Sequence, residues 1–98
     1  MADVTLIDPL GRSITLHDHT WFGHIIKGHP EMKTRRPDVE KAIQSPDQIC
    51  YSNSAVECRL YFAPDRSAVM FIAVVADVVQ GLVKTAYLAK APKGLVEW

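Results

Sequence analysis

The sequence predicts an α+β domain: an N-terminal β-hairpin, then two helices packed on one face of a four-stranded antiparallel sheet. Three observations carry this. The hydrophobic pattern alternates near the N-terminus, takes a helical period over residues 18–29 and again after Pro37, and returns to alternation from Gln48 onward. Helices and strands that follow one another in blocks, rather than in turn, belong to layouts with the helices gathered on one side of an antiparallel sheet. The chain has 98 residues, and a second core is expected only near about 150, so residues 1–98 read as one domain: a hairpin over 3–16 and a core over 17–98.

The segments VTLI and SITL flank Asp8-Pro9-Leu10-Gly11, which has the residues a type I turn favours at its first, second and fourth places. Alternation places Val4 and Leu6 on one face with Ile14 and Leu16. Asp18 is placed to cap a helix through TWFGHIIKGH, which ends where Pro30 disfavours helical geometry at His29. At about 100° per residue, Trp21, Phe22, Ile25, Ile26 and His29 share one arc, with Gly23, His24 and Lys27 opposite. The basic loop KTRR leads into a short amphipathic helix that has Pro37 in its first turn, carries Val39, Ala42 and Ile43, and breaks at SPD. Four strands follow: QICYS, CRLYFA, AVMFIAVVA and LVKTAYLAK. The third, from Ala68 to Ala76, is apolar on both faces and reads as central and covered on both sides.

With 48% hydrophobic and 22% charged residues, the composition is that of a folded globular chain and not of a disordered one. Eleven basic residues balance eleven acidic ones for a formal net charge of zero, so no global field draws the chain to a polyanion or membrane and any such site must be a local patch. The start MADVTLIDPLGR lacks the apolar stretch of a signal peptide, and the longest apolar run is about half of a membrane span. The expectation is a cytoplasmic protein without a membrane partner. Cys50 and Cys58 stand in neighbouring strands where a disulfide is geometrically conceivable, but without an export signal two buried thiols are favoured. The one metal-like cluster, His17-Asp18-His19, falls at a helix start, and no metal or cofactor is expected.

The strings HIIKGHPEM (residues 24–32), PDQI (46–49) and KTAY (84–87), with the final Trp98, together resemble the phage-barnase-type members of the BECR nuclease fold, which groups barnase, EndoU, the colicin-type tRNA-cleaving toxins and RelE. The resemblance covers residues 17–98. It implies a metal-independent endoribonuclease in which the RNA's own 2'-hydroxyl attacks the adjacent phosphate to leave a cyclic phosphate. It also implies a toxin, of phage or mobile-element kind, with RNA such as tRNA as substrate and an antitoxin or immunity protein as partner. The family's helix-end histidine matches His29, with His24 next in line, and its strand threonine and tyrosine match Thr85 and Tyr87.

That chemistry asks for a proton acceptor, a proton donor and groups that stabilise a crowded, negatively charged phosphorane. Histidine titrates near neutrality and His29 sits at a helix C-terminus, where the helix dipole favours a positive charge. A histidine in an apolar arc can equally be a core residue, and His24, opposite that arc, can be plain surface. Alternation puts Arg59 and Tyr61 on one face of their strand and Thr85 and Tyr87 on one face of theirs, and the expectation is that all four share the face left open by the helices. Arg59 there would serve turnover and Tyr61 would receive a base. Lys27, Arg35 and Arg36, in the densest basic stretch with Lys33, would grip RNA phosphates, or else be ordinary solvated surface. The neutral net charge favours a second class, a non-catalytic module binding RNA or a protein on the same scaffold.

Overall fold

The computed structural model describes residues 2–67 and 69–98. Strands β1 (Val4–Ile7), β2 (Ser13–Leu16), β3 (Gln48–Tyr51), β4 (Cys58–Pro64), β5 (Phe71–Asp77) and β6 (Leu82–Ala89) form a single sheet in the order β1-β2-β6-β5-β4-β3. The expected four-stranded antiparallel sheet is thereby corrected to a six-stranded mixed one. β1 and β2 pair Val4 with Leu16 and Leu6 with Ile14, as their alternation predicts, but the hairpin is part of the sheet and not an appendage. β2 joins β6 in parallel at Thr15 and Leu82, and the Thr15 N–H donates to the Gly81 carbonyl at 2.8 Å. Gly81 makes the junction: its φ is +75°, and a Cβ there would lie 2.7 Å from the Ser13 carbonyl oxygen.

β3 to β6 form an antiparallel meander with β5 central. β5 starts at Phe71, and the expected beginning at Ala68 lies outside the described residues. Between Val75 and Ala76 the β5–β6 register shifts: Val75 faces Thr85 while Ala76 faces Val83, so Lys84 is the extra residue of a bulge.

Two short helical segments complete the chain. The first comprises α1 (Asp18–Thr20), a π-helical turn at Trp21–Ile25 and α2 (Ile26–Gly28), followed by a 3-10 turn at Pro30–Met32. The second is α3 (Arg36–Gln44), with Pro37 in its first turn and Val39, Ala42 and Ile43 buried. The π turn adds a residue to one helical turn and breaks the 3.6 period. Trp21 and Ile25 are buried as expected, whereas Phe22 is rotated outward to 47% exposure. The first backbone N–H of this segment, on Asp18, is capped by the Asp3 carboxylate at 2.8 Å, and Asp18 itself pairs with Arg36 at 2.9 Å.

The main core lies between one sheet face and these helices, with Leu16, Trp21, Met32, Ile43, Tyr61, Ile72 and Val83 among its members. The sheet is curled around it. β1 and β4 are four places apart, roughly 19 Å in a flat sheet, yet the Tyr61 hydroxyl on β4 donates to Asp8 just past β1 at 2.6 Å. The other face has a smaller cluster of Cys50, Phe62 and Ala73, flanked by half-buried Leu60, Phe71, Tyr87 and Ala89, so β5 is covered by helices on one side only. Cys50 and Cys58 are both free and buried, and burial pushes the Cys58 thiol upward. Residues 95–98 run along the outer edge of β3, where the Tyr51 N–H donates to Leu95 and the Ile49 N–H to Trp98. Among the described residues no helix is long and apolar enough to cross a membrane.

Candidate functional site

β6 is paired to β2 only at its beginning. Beyond Leu82 its outer edge is met by the π turn and the 3-10 turn, and this brings His29 to it. His29 lies between α2 and the 3-10 turn, its N–H donating to Ile25 and its carbonyl accepting from Met32. The His29 ring centroid is 5.7 Å from that of Tyr87, the planes tilted by 35°. Its Nδ1 is 3.7 Å from the Glu31 carboxylate, and its side chain is 39% exposed. His29 is therefore at the surface and not in the core that its place in the apolar arc allowed.

Thr85 and Tyr87 alternate along β6 onto the face away from the helices, opposite Val75 and Ala73. The Thr85 hydroxyl oxygen is buried and, among the described residues, has no hydrogen-bond partner. A buried polar group without a partner is uncommon and costs stability, so it asks for an explanation. Three of the sequence candidates, His29, Thr85 and Tyr87, thus gather at one edge. His24 is exposed on the same helical segment and, with His19 and Lys84, borders a shallow depression beside the start of β6. Lys27 is exposed two residues before His29.

Arg59 and Tyr61 do not join them. The pairing runs Leu60–Val75–Thr85, so the even-numbered residues of β4 share the face of Thr85 and Tyr87, and Arg59 and Tyr61 take the other. Tyr61 is fully buried in the helix-side core. Its phenol meets Asp8, whose carboxylate also accepts from Arg12 Nε at 2.8 Å and from the backbone of Leu10 and Arg12. Arg12 reaches Glu97 through both terminal nitrogens, and Glu97 in turn accepts from Arg59 Nε at 2.9 Å. Arg59 also donates to the carbonyls of Val56 and Cys58 and covers the ring of Tyr51 at 4.4 Å. The chain Tyr61–Asp8–Arg12–Glu97–Arg59 fastens the hairpin turn to the far end of the curled sheet.

The electrostatics of this clasp favour its charged form. Burial works to raise the Asp8 carboxyl, but hydrogen bonds from Tyr61 and Arg12 outweigh it and hold the group below the ordinary carboxylate range. Glu97 is lowered chiefly by its hydrogen bond from Arg12. Burial, with the bond to Asp8, raises the Tyr61 phenol.

Arg35 and Arg36 are also committed elsewhere. Arg35 pairs with buried Asp65 at 2.9 Å and donates to the Glu31 carbonyl, and the bond from Arg35 holds Asp65 at about 2. Arg36 has 3% side-chain exposure; it reaches Asp18, Glu40 and the Ala2 carbonyl and lies 5.7 Å over the Trp21 ring. The basic loop is thus a structural joint, in which Arg35 and Arg36 are held by carboxylates.

One feature has no signal in the amino-acid pattern. On the open face, between Tyr51 and Tyr87, a cleft of about 540 Å³ has Lys90 and Lys93 at its border. It is assembled from strands whose register alternation alone does not fix. No family model, curated protein or solved structure matches the chain.

Proposed function

We propose that this protein is an endoribonuclease acting at the outer edge of β6 without a metal. The observation that carries the reading is the meeting of His29 with Tyr87 beside the hydroxyl of Thr85, unpartnered among the described residues, on the HIIKGHPEM and KTAY strings whose combination resembles the BECR nucleases. His29 takes the proton from the 2'-hydroxyl as that oxygen bonds to phosphorus, and Glu31 steadies the imidazolium formed. The Thr85 and Tyr87 hydroxyls donate to the phosphorane oxygens from a rigid strand. The bond from phosphorus to the 5'-oxygen then breaks, and that oxygen leaves with a proton from His24. The products are a cyclic phosphate and a 5'-hydroxyl.

The test is incubation of the purified protein with total RNA in EDTA and analysis of the new ends. The expected result is cyclic-phosphate ends, with His29→Ala slowing their formation about a hundredfold or more while circular dichroism stays that of the folded protein. RNA retained but uncut would favour the non-catalytic binding module, and cleavage at the unaltered rate by His29→Ala would remove that residue from the mechanism.

A further inference from the structure

The open-face cleft adjoins His29 through Tyr87, which lines it and meets the His29 ring. Its lining is of three chemical kinds. Leu60 and Phe62 give an apolar floor, Tyr87 gives an aromatic ring on the same face, and Lys90 and Lys93 give positive charge. Tyr51 contributes only to the rim, because its ring lies on the other face with its register partner Arg59, whose guanidinium is 4.4 Å away. Tyr87 is held on a strand paired with β5 and packed against the smaller cluster, so its ring is in place before any ligand arrives, which limits the ordering cost of binding.

The charge is unopposed. Among the described residues no carboxylate lines the cleft, and neither lysine has an ion pair or side-chain hydrogen bond. A volume of about 540 Å³ falls within the range of small-molecule sites. An apolar floor with a flat aromatic ring suits the face of a base that is not paired, and the lysines suit the phosphate attached to it.

We propose that this cleft is the subsite for one unpaired nucleotide of the RNA, next to the scissile phosphate, with the base on the Leu60 and Phe62 floor beside the Tyr87 ring and its phosphate on Lys90 and Lys93. The proposal rests on the reading of the chain as an RNA-cleaving enzyme.

The experiment measures anisotropy of a labelled single-stranded RNA carrying 2'-O-methyl at every nucleotide, which removes the nucleophile and keeps bases and phosphates. Ala91 is exposed and lines the cleft, so Ala91→Trp fills it from the solvent side. That variant weakens binding about tenfold or more, as loss of a stacked base does. In the Lys90→Ala, Lys93→Ala double variant the salt slope falls by about 1.4, two single-strand contacts at about 0.7 each. If both variants bind like the unaltered protein while His29→Ala abolishes cleavage of ordinary RNA, the subsite is overturned and the enzyme reading stands. If both variants lose binding as stated but no RNA is ever cut, the nucleotide site stands and the enzyme reading fails. An unaltered protein that does not hold the methylated RNA overturns the subsite outright.

Discussion

The clasp at the end of the curled sheet and the outer edge of β6 treat polar groups in opposite ways. In the clasp, Asp8, Arg12, Tyr61, Glu97 and Arg59 satisfy one another in an unbroken series. At the β6 edge, among the described residues, Thr85 has a buried hydroxyl with no partner and the His29 ring meets one aromatic ring and one carboxylate. The cations divide in the same way. All five arginines are ion-paired, while among the described residues none of the six lysines is. Arginine's planar fork suits fixed joints, and the lysines are all exposed. The difference separates what holds the chain together from what is left to act on something else.

Asp8→Ala should break this comparison most severely. It removes a carboxylate with no exposed side-chain surface and leaves Arg12 and the Tyr61 phenol short of a partner, so urea unfolding should show a loss of about 3 to 5 kcal/mol. A loss under 1 kcal/mol would mean that the clasp does not hold the curl. Tyr61→Phe removes a single donor and leaves Asp8 its bonds from Arg12, and the same titration should give about 1 to 2 kcal/mol. A cleavage defect in this variant larger than its unfolded fraction would return Tyr61 to the site.

The smallest effect concerns acid. Asp8, Glu97 and Asp65 all have lowered values in the folded protein. Their stabilisation is complete above the ordinary carboxylate range and is lost as pH falls through the folded values. For Asp65, at about 2, the loss should spread from about pH 4 down to about pH 2, and Asp65→Asn should flatten that part of a thermal-unfolding profile. An unchanged profile would contradict the assignment of Arg35 to a structural joint.

How much of this could be read in the sequence depends on the range of the interaction. The hairpin, α3 and the alternation within each strand are local, and period two correctly paired Thr85 with Tyr87 and Arg59 with Tyr61 on their own strands. Which face each pair takes depends on the register between β4, β5 and β6, which alternation does not specify, and so Tyr61 is in the core. The parallel step from β2 to β6 rests on one residue pair and on Gly81, with no pattern of its own. Arg36 looked like surface because its partner Asp18 is remote in the chain. The π turn that rotates Phe22 outward follows from no residue signal. His29, Thr85 and Tyr87 were found through short strings that resemble a family, and their convergence depends on the fold.

Thr85→Val tests the central claim, that the β6 edge is kept for chemistry, because it replaces the unpartnered hydroxyl with a methyl of nearly the same shape. A group present only for structure should change stability and activity together. With no bond to lose, the variant should unfold at the same or a higher denaturant concentration, while its rate of RNA cleavage at saturating substrate should fall about a hundredfold, as loss of one phosphorane donor does. Loss of stability with turnover per folded molecule unchanged would contradict the account.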